Sequence, residues 1–113
     1  AGAAAEGPAF FPAAQCAAFW SAYADFQRRY AIAEPPDGSS DAAAAAFGKA
    51  AIRLNRGDAA EIDSYIKEQK PLMMLLHKSF MIDGDPDSRD MFTRLSRTCE
   101  DFAATQPETR ATQ

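Results

Sequence analysis

Valine is missing from this sequence, and only five isoleucines are spread over its 113 residues. β-Branched side chains are the ones that pack well on a pleated sheet, so their scarcity excludes an all-β or parallel-sheet domain. Alanine is the most frequent residue in the chain, and it has the highest helix propensity of all residues. This imbalance predicts an all-α protein.

Positive charge and long apolar runs are also in short supply. Twelve Lys and Arg residues stand against sixteen Asp and Glu, which gives a formal net charge of -4, and the densest basic cluster is only Arg28–Arg29. A sequence-independent nucleic-acid surface needs a positive stripe, and an anionic membrane surface attracts basic clusters. No apolar run reaches the length of a bilayer-spanning helix. We therefore expect neither nucleic acid as a partner nor a membrane span.

Apolar residues recur at helical spacing in four segments that are separated by prolines and glycines. The first segment shows it most clearly, with steps of three and four residues between Cys16, Phe19, Tyr23, Phe26 and Tyr30. Helix breakers follow the first three segments at Pro35–Pro36, Gly57 and Gly84. Four helices with short connections predict an antiparallel four-helix bundle of the up-down-up-down type.

The chain has the length of one domain. We assign residues 10–105 to the bundle, residues 1–9 to a flexible N-terminal lead and residues 106–113 to a frayed polar tail. Pro71 lacks an N–H group, so the third helix is predicted to be kinked or split there. Asp58 and Asp85 are expected to cap the third and fourth helices, and Ser40 or Asp41 to cap the second.

The two cysteines lie on the predicted core stripes of the first and last helices. Cys16 is near the start of the first helix and Cys99 near the end of the fourth, and an up-down-up-down bundle places those two ends side by side. A disulfide is therefore predicted, with two reduced core cysteines as the alternative. A disulfide implies an oxidising compartment. Residues 1–7 are small except for Glu6, as around a signal-peptidase site, although a trimmed start explains them too. We expect a periplasmic or secreted protein whose signal peptide has been removed.

Aromatic residues are concentrated in and just before the first helix. Most of these rings are expected in the core. Phe10, Phe11 and Trp20 flank the regular stripe, so they are the candidates for an exposed surface that binds a partner or a ligand.

Met73, His77 and Met81 follow one another at four-residue steps, so they lie along one side of the third helix. Thioether and imidazole groups suit copper(I), and His with Met also ligates haem. Core packing explains the same residues, because methionine commonly fills gaps between helices. We therefore assign no metal and no cofactor here, and keep copper or haem as the alternative.

A catalytic constellation is not recognisable in the sequence. Ser79 is two residues from His77, so the two side chains point in different directions on a helix. No glycine-rich phosphate loop is present either. The sequence therefore predicts a protein that is not an enzyme and that binds another protein or an apolar small ligand.

Overall fold

Five helices form the fold of the residues that the structure describes. The structure is a computed structural model, which describes residues 9–30 and 38–110. The helices are α1 (Phe11–Tyr30), α2 (Ser39–Leu54), α3 (Ala59–Met81), α4 (Pro86–Ala103) and the short α5 (Pro107–Arg110). The described residues contain no strand, so the predicted all-α class is confirmed. The predicted lead at residues 1–9 lies outside the described residues except for Ala9.

Local capping chemistry sets the starts of α3 and α4. The side chain of Asp58 accepts a hydrogen bond from the backbone N–H of Glu61, and that of Asp85 accepts one from the N–H of Ser88. Both caps are as predicted. The cap of α2 differs from the prediction, since this helix begins at Ser39 after Gly38, whose φ is 87°. Its start therefore depends on a backbone conformation that favours glycine, without a side-chain cap.

Helix α1 is the central element, because α2, α3 and α4 all pack against it. Its buried residues are mostly alanine: Ala13, Ala14, Cys16, Ala17, Ala18, Phe19, Ala22, Ala24 and Phe26. Small side chains allow the neighbouring helices to approach its backbone closely. The predicted stripe of large residues is thus only part of the core, which extends around most of α1.

Helix α3 runs without a break from Ala59 to Met81 with Pro71 inside it. The hydrogen bond that a proline removes is the one to the carbonyl four residues earlier, here that of Lys67. Both Pro71 and Lys67 are exposed, so water can solvate the freed carbonyl. The helix is therefore not split at this position, and a kink stays a prediction.

The described part of the predicted tail, residues 106–110, packs against the other helices, whereas residues 111–113 lie outside the described residues. The Thr109 side chain is fully buried, and its hydroxyl donates a hydrogen bond to the carbonyl of Ala103 at 2.7 Å. Arg53 of α2 forms a salt bridge with Glu108 at 2.6 Å. A polar segment can thus dock because its polar groups find partners.

Candidate functional site

The predicted pair Cys16 and Cys99 forms a disulfide that joins α1 to α4. The two Cα atoms lie 5.6 Å apart across a sequence separation of 83 residues. Both side chains are buried, in a cluster with Ala17, Phe47 and Ala103. The bond therefore fixes the last long helix to the central one within the core.

Trp20 is half-buried and lines a cavity of about 350 Å³ next to this disulfide. The other lining residues come from α2 and α4, and they are Ala43, Phe47, Ser96, Cys99, Glu100 and Ala103. Trp20 also contacts the rings of Phe19 and Tyr23 edge to face. The tryptophan is therefore partly core and partly the wall of a small cavity.

Phe10 and Phe11, the other two candidates for an exposed surface, pack against α3. Both rings pack edge to face against Tyr65 of α3, with ring centroids 6.5 and 5.7 Å away. Both side chains are half-buried. These contacts attach the start of α1 to the N-terminal half of α3.

His77 is fully buried among aromatic rings at the junction of α1, α3 and α4. The ring centroids nearest to it are those of Phe19 at 4.8 Å, Tyr23 at 5.2 Å and Phe92 at 5.4 Å. Its Nε2 atom lies 3.0 Å from the carbonyl oxygen of Phe19. A carbonyl only accepts hydrogen bonds, so Nε2 carries the hydrogen and Nδ1 is the unprotonated nitrogen.

The environment of His77 favours the neutral imidazole. Burial lowers the pKa of His77 to about 4, and the hydrogen bond to the Phe19 carbonyl opposes this shift only in part. Nδ1 is buried and has no hydrogen-bond partner among the described residues. Its lone pair is the kind of donor that metals bind, but the rings around it leave no solvent access.

The other two members of the Met–His–Met pattern differ in exposure. Met73 is buried in a core cluster that includes Phe19, whereas Met81 is half-buried. No three His, Cys, Asp or Glu side chains of residues 9–30 and 38–110 come together as a metal site. The copper or haem hypothesis, which depends on thioethers, stays a prediction.

A larger groove of about 500 Å³ lies between α3 and α4; we refer to it as the α3–α4 groove. Five of its lining residues are apolar: Leu72, Met73, Leu76, Met91 and Leu95. The remaining three are polar: Gln15, Arg94 and Thr98. Leu72 and Met91 are 60% and 48% exposed, so the groove has an apolar mouth that water reaches.

The sequence contains one indication of this groove, and it lies outside the predicted apolar stripes. Leu72 and Leu75 lie off the buried side of α3, which is formed by Ile62, Met73, Leu76 and His77, and both are exposed. Two leucines that lie three residues apart on the exposed side of an amphipathic helix are unusual. Which of the two borders a groove depends on how α4 packs, and the sequence does not show that.

Comparisons with known proteins identify no relative. No protein-family model matches the chain, and no curated protein and no solved structure matches it either. Within the described ranges, no helix combines the length and the apolar character that crossing a membrane requires. The fold and the groove define a disulfide-bonded helical protein, and what it binds has to be inferred from its own geometry.

Proposed function

We propose that this protein is a non-catalytic binding protein that holds an apolar small ligand in the α3–α4 groove. The observation that carries the proposal is the exposure of Leu72 and Met91 at the mouth of a groove with an apolar floor. Exposing large apolar side chains next to one another has a free-energy cost in water, which a ligand that covers them removes. A volume of about 500 Å³ is within the range of small-molecule sites.

We propose further that the protein works in the periplasm or outside the cell. The support is the buried Cys16–Cys99 disulfide, since such bonds persist in oxidising compartments and are rare in the reducing cytosol. The same bond supports the up-down-up-down order of the bundle. It joins the beginning of α1 to the end of α4, which lie side by side when these two helices are antiparallel.

The binding proposal is tested with Nile red, a neutral dye whose fluorescence increases in apolar surroundings. Leu72→Glu places a charge at the mouth of the groove, so we expect dye affinity to decrease at least tenfold. Leu75→Glu is the matched control, because Leu75 is 63% exposed on the same helix but does not line the groove. This control is expected to bind like the wild type.

Two results would contradict the proposal. One is a wild-type protein that does not bind the dye at all. The other is an equal loss of affinity in both variants, which would show that the dye follows general surface hydrophobicity. Circular dichroism of both variants checks that the helices are retained.

A second candidate function, copper(I) or haem binding at His77, is favoured by one observation. Nδ1 of His77 is a buried nitrogen without a hydrogen-bond partner among the described residues, and Met73 and Met81 lie one turn away on either side. Titration with copper(I) and with haemin tests it. Binding that His77→Gln abolishes would support it, whereas a wild-type protein that stays metal-free and colourless would contradict it.

A further inference from the structure

Part of the lining of the α3–α4 groove is polar, and it includes Gln15 and Thr98. Gln15 and Thr98 each adjoin one of the bonded cysteines in sequence, and the Cα atoms of those cysteines are 5.6 Å apart. The two polar side chains therefore come from neighbouring turns of α1 and α4. Leu72 and Leu76 line the groove from α3. The lining thus combines an apolar part with a hydrogen-bonding part, as an amphiphile requires.

The side chains that line the groove carry a net positive charge, although the chain as a whole is acidic. Arg94 is the one charged residue among those that line the groove, and no carboxylate lines it, although acidic residues outnumber basic ones sixteen to twelve in the sequence. The one charged group that lines the groove therefore attracts an anion.

The Arg94 side chain has no hydrogen-bond or salt-bridge partner within the described part of the chain. Like Arg97 of the same helix, it forms no salt bridge there. The acidic residue one turn before it, Asp90, faces Arg89 at 3.7 Å instead. A guanidinium group presents paired N–H donors that match the two oxygens of a carboxylate.

We infer that the ligand of the α3–α4 groove is a free long-chain carboxylate, with its apolar chain on the leucine and methionine side chains and its head group on Arg94. This inference rests on the proposed function and specifies the ligand class. Gln15 and Thr98 supply further hydrogen-bond donors for the head group. The net charge of -4 disfavours an anionic membrane surface as the source of the head group, so the free monomer is the proposed ligand.

The inference is tested by displacement of Nile red with laurate, 1-dodecanol and dodecyltrimethylammonium, each below the concentration at which it forms micelles. These three compounds share the chain and differ in head-group charge. We expect wild-type protein to bind laurate at least tenfold more tightly than the cation. Arg94→Gln is expected to weaken laurate binding about tenfold and to leave 1-dodecanol binding unchanged.

Arg97→Gln is the matched control, since it removes the same charge from the same helix at a position that does not line the groove. It is expected to bind laurate like the wild type. Equal affinities for all three compounds, or laurate binding that is indifferent to Arg94→Gln, would overturn the inference while leaving the apolar site in place. If no compound and no dye binds, the proposed function itself fails.

Two further experiments test whether something other than the proposed ligand occupies the groove. Co-sedimentation with phosphatidylglycerol vesicles that Arg94→Gln abolishes would point to a membrane surface and overturn the inference. Sedimentation velocity is expected to show a monomer without ligand. A dimer that Leu72→Glu dissociates would show that a second copy of the chain covers the groove, and this too would overturn it.

Discussion

The Nε2 atom of His77 donates a hydrogen bond to the carbonyl oxygen of Phe19 at 3.0 Å, across 58 residues of sequence. This bond connects α3 to the central helix α1 from inside the core. The imidazole is fully buried and neutral, and the rings of Phe19, Tyr23 and Phe92 surround it. The stability of the fold therefore depends on the protonation state of one residue.

We predict that the free energy of unfolding decreases as the pH falls from 6.5 to about 4. The folded protein lowers the pKa of His77 from 6.5 to about 4, so between these values the unfolded chain binds the proton more readily. The contribution of His77 is complete above pH 6.5 and is lost progressively below it, by about 3 kcal/mol in total at about 1.4 kcal/mol for each pH unit. Urea unfolding at several pH values measures this dependence.

The His77→Gln variant is the control for the pH prediction. Glutamine keeps an N–H donor near the position of Nε2 but does not titrate. We expect its stability at pH 7 to be lower than that of the wild type and its pH dependence between 6.5 and 4 to be much weaker. If both proteins lose stability in parallel, carboxylates and not His77 are responsible.

We predict that the disulfide contributes roughly 4–5 kcal/mol to stability, because it closes a loop of more than eighty residues in the unfolded chain. The double substitution Cys16→Ala with Cys99→Ala is expected to lower the guanidinium midpoint accordingly. Reductant is expected to bring the wild type close to the variant and to leave the variant unchanged. Intact mass with thiol labelling gives an independent measurement, and two labelled thiols in protein recovered from its native compartment would contradict the proposed export.

We predict that Thr109→Val lowers the free energy of unfolding by about 1–2 kcal/mol, since the buried Thr109 hydroxyl donates to the Ala103 carbonyl and valine keeps the shape without the donor. Thr93→Val is the control, because the Thr93 hydroxyl makes a comparable bond to the Arg89 carbonyl, at 2.9 Å, but is exposed. The control is expected to cost less than about 0.5 kcal/mol. Equal effects of the two substitutions in urea unfolding would mean that α5 does not contribute to the core.

Features that depend on a few adjacent residues could be predicted from the sequence. The caps at Asp58 and Asp85 are examples, because each cap is decided within one turn of helix. The left-handed Gly57, with φ of 83°, is another. The disulfide could be predicted too, but only because an up-down-up-down order of the helices was assumed.

Features that depend on packing between distant segments could not be predicted in this way. The buried alanines of α1 carry little hydrophobic signal, so the extent of its burial does not show in a stripe of large residues. The α3–α4 groove combines residues from α1, α3 and α4, and no local pattern brings them together. For the same reason no local pattern predicts that Phe10 and Phe11 pack against Tyr65.

The bond between Cys16 and Cys99 also turns most of the chain into a covalent ring. The exposed turn between α2 and α3, at Arg56, Gly57 and Asp58, lies inside this ring. A protease that cuts there separates the chain into two pieces that each contain one of the cysteines, so the pieces stay joined and the nicked molecule keeps its helices in place. In a compartment rich in proteases, a single cut therefore leaves the molecule assembled.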